Sequence, residues 1–137
     1  MPVPQDDFRA LLRHLARQMV GFDQACRACC RVSLTQCHLI GEVGRGGPCT
    51  LNDLAAWLAL DPSSTSRAVD GLVRSGYLRR DRDQRDRRKL VIDLTPAGRA
   101  LYAEIESSGH DMAASVRERL PTGTLAQVSE AMILLSR

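Results

Sequence analysis

Four cysteines, Cys26, Cys29, Cys30 and Cys37, fall within twelve residues, and a fifth, Cys49, follows. The thiolate is both a nucleophile and a soft metal ligand, so thiols at this density point to ion capture or oxidation. Cys26 precedes Cys29 and Cys30 by three and four residues, one face of a helix, and Cys37 lies one turn into the next segment, where it can fold back. The expected sensing set is Cys29, Cys30 and Cys37, with Cys26 the alternate third member and Cys49 a bystander. Arg27, Arg31 and a nearby helix N-terminus favour thiolates. The pattern C-x2-C-C-x6-C-H lacks the paired spacing of a structural zinc site, although His38 keeps zinc in the set. Soft sulfur suits arsenic(III), antimony(III), mercury(II) or copper(I) better. Against this stands the ordinary role of a free cysteine as a small core residue.

The second chemical feature is charge. The chain carries +3 overall, yet Arg79 to Lys89 (RRDRDQRDRRK) alone carries +4, from seven basic and three acidic residues. A like-charged loop repels itself, and a polyanion removes that repulsion. Guanidinium groups suit bidentate contact to phosphate and guanine, and Lys89 is the only lysine.

These residues must be held by elements that the spacing of apolar side chains announces. Phe8, Leu11, Leu12, Leu15, Met19 and Phe22 form one stripe of a helix from Asp6 to about Cys29. Ser33 and Gln36 make a capping box that opens a second helix near Leu34, which Gly44, Gly46, Gly47 and Pro48 are expected to stop. Thr50 and Asp53 cap a short third helix ending near Leu60. Asp61 before Pro62 opens a fourth, which closes at Gly76 and buries Thr65, Val69, Leu72 and Val73. Tyr77–Arg80 and Lys89–Leu94 read as strands, the second with Leu90, Ile92 and Leu94 inward. Thr95 and Pro96 cap a long fifth helix, weak at Ser107, Ser108 and Gly109, and a last helix follows Gly123.

The fold class is therefore mainly α with a small β-hairpin wing: two short helices around a tight turn, then a hairpin, form a winged helix-turn-helix. In that arrangement Ser63, Ser64, Ser66 and Arg67 stand at the amino end of the recognition helix, within reach of phosphates or base edges. The helix N-terminus itself attracts a phosphate, and Arg85, Arg87 and Arg88 on the wing reach flanking backbone. No phosphate-loop, HExxH or GxSxG motif is present, so enzyme classes have no support. With 137 residues, 44% of them hydrophobic, the chain suits one domain, and without a membrane span or signal-type apolar run it is expected in the cytoplasm. A thiol protein without DNA, or an adaptor for protein contacts, would have no use for the basic wing.

The segments LNDLAAWLALDPSSTSRAVDGLVRSGYLRR and DRDQRDRRKLVIDLTPAGRAL carry a resemblance to the MarR (multiple antibiotic resistance regulator) transcription factors, over about Val32 to Leu101. Asp86, Arg88 and the run Leu94 to Gly98 stand where that family has its wing and following helix. The resemblance implies a homodimer whose first, fifth and sixth helices interlock, with Arg88 the wing-tip arginine and Asp86 the acid that holds it. Residues 1–31 and 95–137 would then be dimerisation helices flanking a DNA-binding lobe, 32–94. Peroxide-sensing members carry a reactive cysteine near the start of the first helix, where this chain has Asp6, Asp7 and Phe8. The expectation is a dimeric repressor on an inverted-repeat operator in double-stranded DNA, released by a thiolate-bound soft ion. Thiol oxidation, and then a small organic ligand, are the alternatives.

Overall fold

The computed structural model describes residues 7–136, apart from the side chains of Met19, Phe22 and Ala25. The expected helix start at Asp6 and the stripe positions Met19 and Phe22 thus lie outside the described residues. The chain forms two compact units, one up to Ile105 and one from Glu106. Element order is α1 (Phe8–Cys30), α2 (Leu34–Gly46), α3 (Leu51–Trp57), α4 (Pro62–Arg74), β1 (Leu78–Arg82), β2 (Leu90–Leu94), α5 (Pro96–Arg119) and α6 (Leu125–Leu135).

Local side-chain chemistry sets most helix starts. Asp7 accepts from the Ala10 N–H at 3.0 Å and opens α1. The Ser33–Gln36 and Thr50–Asp53 capping boxes open α2 and α3, each satisfying two backbone donors that a helix start leaves without partners. Asp61 caps α4, with Pro62 in its first turn, and the Thr95 hydroxyl accepts from the Gly98 N–H at the start of α5.

The core of the first unit is a cluster around Leu39, Ile40, Val43, Leu54, Val69 and Leu72, which joins α2, α3 and α4. Thr65 is fully buried among them, its hydroxyl donating to the Asp61 carbonyl at 3.0 Å. The strands pair antiparallel with Leu78 opposite Leu94 and Arg80 opposite Ile92. Cys49, in the α2–α3 connection, adds a bridge on the far edge of β2: its N–H donates to the Ile92 carbonyl at 3.1 Å, and its carbonyl accepts from the Ile92 N–H at 2.7 Å.

Four expectations are corrected. Gly44 and Gly46 do not stop α2, which runs to Gly46 and ends at Gly47 in a left-handed backbone (φ 78°). Gly44 is small because the Tyr102 ring lies against it, where a Cβ would come within 2.5 Å of the ring. Leu90 does not face inward. It is 58% exposed at the loop end of β2, while Val91, Ile92, Asp93 and Leu94 are all buried, so the strand is covered on both faces and shows no alternation. The third helix stops at Trp57, short of Leu60, because Ala59 adopts a left-handed φ of 50°. The fifth helix is continuous through Ser107–Gly109.

Gly98 marks the tightest backbone approach: a Cβ there would fall on the Tyr77 carbonyl and within 3.1 Å of Leu94. Gly109 has nothing within 4 Å. Gly98→Ala should therefore lower stability by about 1–3 kcal/mol, whereas Gly109→Ala should raise it by up to ~1 kcal/mol through helix propensity. Urea unfolding of both variants checks this, and equal effects would show that the Gly98 approach carries no stability.

Candidate nucleic-acid interface

The amino end of α4 is a hydrogen-bonded polar network. The Asp61 carboxylate accepts from the Ser64 N–H at 2.8 Å and the Ser63 hydroxyl at 2.7 Å. The Arg67 guanidinium in turn donates to the Ser64 hydroxyl at 3.0 Å and the Ser63 hydroxyl at 3.5 Å. Hydrogen bonds from Ser64 and Ser63 hold the Asp61 carboxyl well below the usual carboxylate range. One expectation changes: with Pro62 lacking an N–H and Asp61 already seated there, the helix end holds its own anion instead of offering a ready phosphate site. What α4 presents is Ser63 and Arg67, both exposed, with Ser64 and Ser66 half-buried beside them.

The wing loop is clamped through its main chain. Asp83 accepts from the N–H groups of Arg85 at 2.6 Å and Asp86 at 2.9 Å, and its own N–H donates to the Lys89 carbonyl at 2.9 Å. Asp86 accepts from the Arg88 N–H at 3.1 Å, so it holds Arg88 by the backbone and leaves the guanidinium alone. Arg82 donates to the Arg87 carbonyl at 2.8 Å. Among the described residues the guanidinium groups of Arg85, Arg87 and Arg88 enter no ion pair, and all three side chains are exposed.

Three acidic residues that position this surface escaped the sequence reading. Asp70 on α4 forms a salt bridge with Arg80 on β1, tying the recognition helix to the wing. Asp93 on β2 pairs with Arg79 at 2.8 Å, and Arg79 also reaches Asp81 at 3.1 Å. Asp83 is the third, and its signal was an aspartate two and three residues before the N–H groups it holds, the spacing of an Asx turn. For Asp93 the signal was a lone acid in an apolar strand directly opposite Arg79. A cleft of about 610 Å³ at the wing root is lined by Arg79, Asp81, Arg85, Val91 and Asp93.

The cysteines divide differently from expectation. Cys30 and Cys37 are buried, Cys26 is half-buried and Cys29 exposed. Cys30 and Cys37 belong to the core cluster, and Cys26 packs against it. Burial, reinforced by neighbouring thiols, pushes the Cys30 thiol up to about 11 and the Cys37 thiol up to about 12. The expected activation as thiolates does not occur at these two positions, for three reasons. Cys29 and Cys30 sit at the carboxyl end of α1, the negative end of its dipole. The Arg27 guanidinium is engaged by Asp23 at 2.8 Å, and Arg31 is an exposed left-handed cap. His38 is exposed and Cys37 buried, so the adjacent pair splits. Cys49 is buried in the bridge to Ile92, with its thiol pushed up to about 11 by burial. A cavity of about 410 Å³ is lined by Cys29, Cys30, Arg31, Tyr77, Leu101 and Glu104. No three His, Cys, Asp or Glu among the described residues already stand at metal-holding spacing.

Residues 32–89 match the model of the MarR family. The HTH-type transcriptional regulator YwhA of Bacillus subtilis, itself uncharacterised, is 32% identical over 76 residues, which is 56% of this chain and 55% of that protein. BilQ of Clostridium symbiosum, also an HTH-type transcriptional regulator, is 26% identical over 58% of this chain and 56% of its own length. The chain thus spans little more than half the length of these relatives. Among solved structures, Streptococcus pneumoniae FabT in complex with DNA matches with a TM-score of 0.81 at 20% identity, over 95% of both chains. Bordetella bronchiseptica BpsR, whose DNA binding is regulated by 6-hydroxynicotinic acid, matches at 0.80 and 23% identity over 99% of this chain and 98% of that one. A MarR family regulator, SP03579, matches at 0.82 and 18% identity, over 96% and 89%. At these identities the likeness establishes the fold alone, a winged helix-turn-helix.

Two outcomes follow from the clamps. Because the folded chain holds the Asp61 carboxyl less protonated than the unfolded chain does, its support is complete above the ordinary value of 3.8 and is lost as pH falls below it. The stability advantage of the parent over Asp61→Ala should be constant near neutrality and shrink in acid, as thermal melts across pH would record; a pH-independent gap would overturn the carboxylate cap. Asp83→Ala should speed hydrogen exchange at the Arg85 and Asp86 amides while leaving α3 and α4 protected. Unchanged exchange at those two amides would contradict the clamp.

Proposed function

We propose that the chain is a regulator of the MarR type, a sequence-specific DNA-binding homodimeric repressor acting on an inverted-repeat operator. The observation that carries the reading is the wing: among the described residues Arg85, Arg87 and Arg88 stand without ion-pair partners on a loop clamped through its backbone, and the Asp70–Arg80 salt bridge ties that hairpin to α4. Ser63, Ser64, Ser66 and Arg67 on α4 would meet base edges and phosphates in the major groove, while the wing arginines meet flanking phosphates or the minor groove. FabT, solved on DNA with the same fold, supports this use of the surface.

Dimerisation finds its support in apolar side chains that nothing in the described chain covers. Phe8, Leu11, Leu12 and Leu15 on α1 are exposed, and so are Met112 and Val116 on α5 and Met132, Ile133, Leu134 and Leu135 on α6. Exposed apolar stretches of this extent mark contact surfaces, and a second copy of the chain supplies matching ones. Two recognition helices related by a dyad then enter successive major grooves about one helical turn, ~34 Å, apart.

For release from DNA, the cysteines at the α1–α2 junction favour a thiophilic ion over an organic ligand. The candidates remain arsenic(III), antimony(III), mercury(II), copper(I) and zinc, with thiol oxidation as the second route. A mobility shift on the promoter region upstream of the chain's own coding sequence, at two salt concentrations, tests the DNA reading; absence of salt-sensitive, sequence-specific binding would end it. Arg67→Ala should cost about 1–3 kcal/mol and relax base preference. Arg88→Ala should weaken all sequences alike and reduce the salt slope by about 1. The reverse pattern would exchange the roles of α4 and the wing.

A further inference from the structure

The Arg67 side chain is held in place by its own helix. Its terminal nitrogens Nη1 and Nη2 donate to the Ser63 hydroxyl at 3.5 Å and to the Ser64 hydroxyl at 3.0 Å. These partners stand four and three residues earlier, so the side chain is folded toward the amino end of α4, the end of a recognition helix that meets base edges. Asp70, three residues on, could have drawn the guanidinium the other way. Asp70 is instead engaged by Arg80 of β1.

Proton counting assigns the serines a role. The Ser63 hydroxyl donates its one proton to Asp61 at 2.7 Å, so toward Arg67 it can only accept, and it has none left for a phosphate. A guanidinium carries five N–H groups in a planar fork. With one given to each serine, the Nε–H and one N–H on each terminal nitrogen are left to face a ligand.

Charge and donor pattern decide what that fork selects. Through the two serines the Arg67 cation is joined to the Asp61 carboxylate, which also accepts from the Ser64 N–H, so the cluster is neutral as a whole. A phosphate gains little from a neutral cluster and is repelled by its carboxylate. The exposed wing arginines, which have no ion-pair partner among the described residues, suit phosphate better. A base edge has no net charge to lose by the exchange. In the major groove only guanine shows two adjacent acceptors, N7 and O6; adenine sets a donor beside its N7, thymine offers O4 alone, and cytosine offers a donor. Two parallel N–H groups therefore match guanine.

We infer that Arg67 reads a guanine through N7 and O6, and that Ser63 and Ser64 are the positioning residues that aim it. This rests on the reading of the chain as a DNA-binding regulator and names the base that α4 selects in each half-site. Because the guanidinium is already held before DNA arrives, less side-chain freedom is lost on contact, and the discrimination falls when the hold is released.

The test uses the full chain and the promoter duplex upstream of its own coding sequence, resynthesised with one guanine at a time replaced by 7-deazaguanine. That base keeps O6 and its pairing edge and lacks the N7 acceptor. The expected result is a guanine in each half-site at which the replacement weakens the parent by about tenfold and R67A by less than about twofold. At that position S64A should cut the tenfold loss to about threefold or less, and S64A added to R67A should change it no further. S63A should act in the same direction and less strongly, as its longer bond implies. A general structural defect would weaken every duplex alike and leave the ratio untouched; S64A also keeps the N–H that Asp61 caps. A full tenfold ratio in S64A would overturn the positioning role. Absence of any guanine whose N7 matters to the parent and not to R67A would overturn the base assignment. Failure of the parent to bind the unsubstituted duplex is a distinct result, which would remove the DNA reading and the assignment with it.

Discussion

Ile92 is held from both sides, and the interface depends on it. On one edge it exchanges two backbone hydrogen bonds with Cys49, and on the other it stands opposite Arg80 in the hairpin. Its side chain is buried in the core shared with α2 and α4. An isolated two-stranded hairpin is marginal in water, so a wing can be rigid only if its strands borrow order from something larger. Here Cys49 lends the α2–α3 connection as a further edge, and Arg80 carries the constraint on to Asp70 of the recognition helix. Wing and recognition helix are therefore placed by one short chain of contacts.

The features legible in the sequence are those that act within a few residues. Ser33 with Gln36, Thr50 with Asp53 and Asp61 before Pro62 each announce a helix start, and each cap forms with the expected donor. The apolar face of α4 is likewise local, and Thr65, Val69 and Leu72 are buried as its period requires. What was not legible depends on partners distant in the chain. Gly44 reads as a breaker until Tyr102 is seen against it. Leu90 reads as an inward position until β2 is found covered on both faces by unlike neighbours. The serines and arginines of the candidate interface could be named from position, but not the aspartates that hold them, because an acid beside many arginines looks like simple charge dilution.

The thiols teach the same lesson in chemistry. Helical spacing places Cys26 with both Cys29 and Cys30, and cannot say which of the two faces the core. Burial decides it, separating buried Cys30 from exposed Cys29 although they are adjacent. Proton affinity follows from that same non-local fact: Arg27 is nearby in sequence, yet its charge goes to Asp23, whose other oxygen accepts from the Leu34 N–H at 2.8 Å at the start of α2. Asp23 thus stitches α1 to α2 beside the sulfurs and withholds from them the cation that would have activated them.

The manner in which the wing loop is clamped bears on how such a surface diversifies. Asp83 and Asp86 grip amide groups, which every residue except proline supplies. The side chains at 85, 87 and 88 contribute nothing to that grip, so they can be exchanged without refolding the loop. Selection can then retune contacts at the flanks of a binding site through single codon changes, at constant architecture. A gene duplicate of this chain would be free to present a different set of loop side chains while inheriting the same clamped backbone.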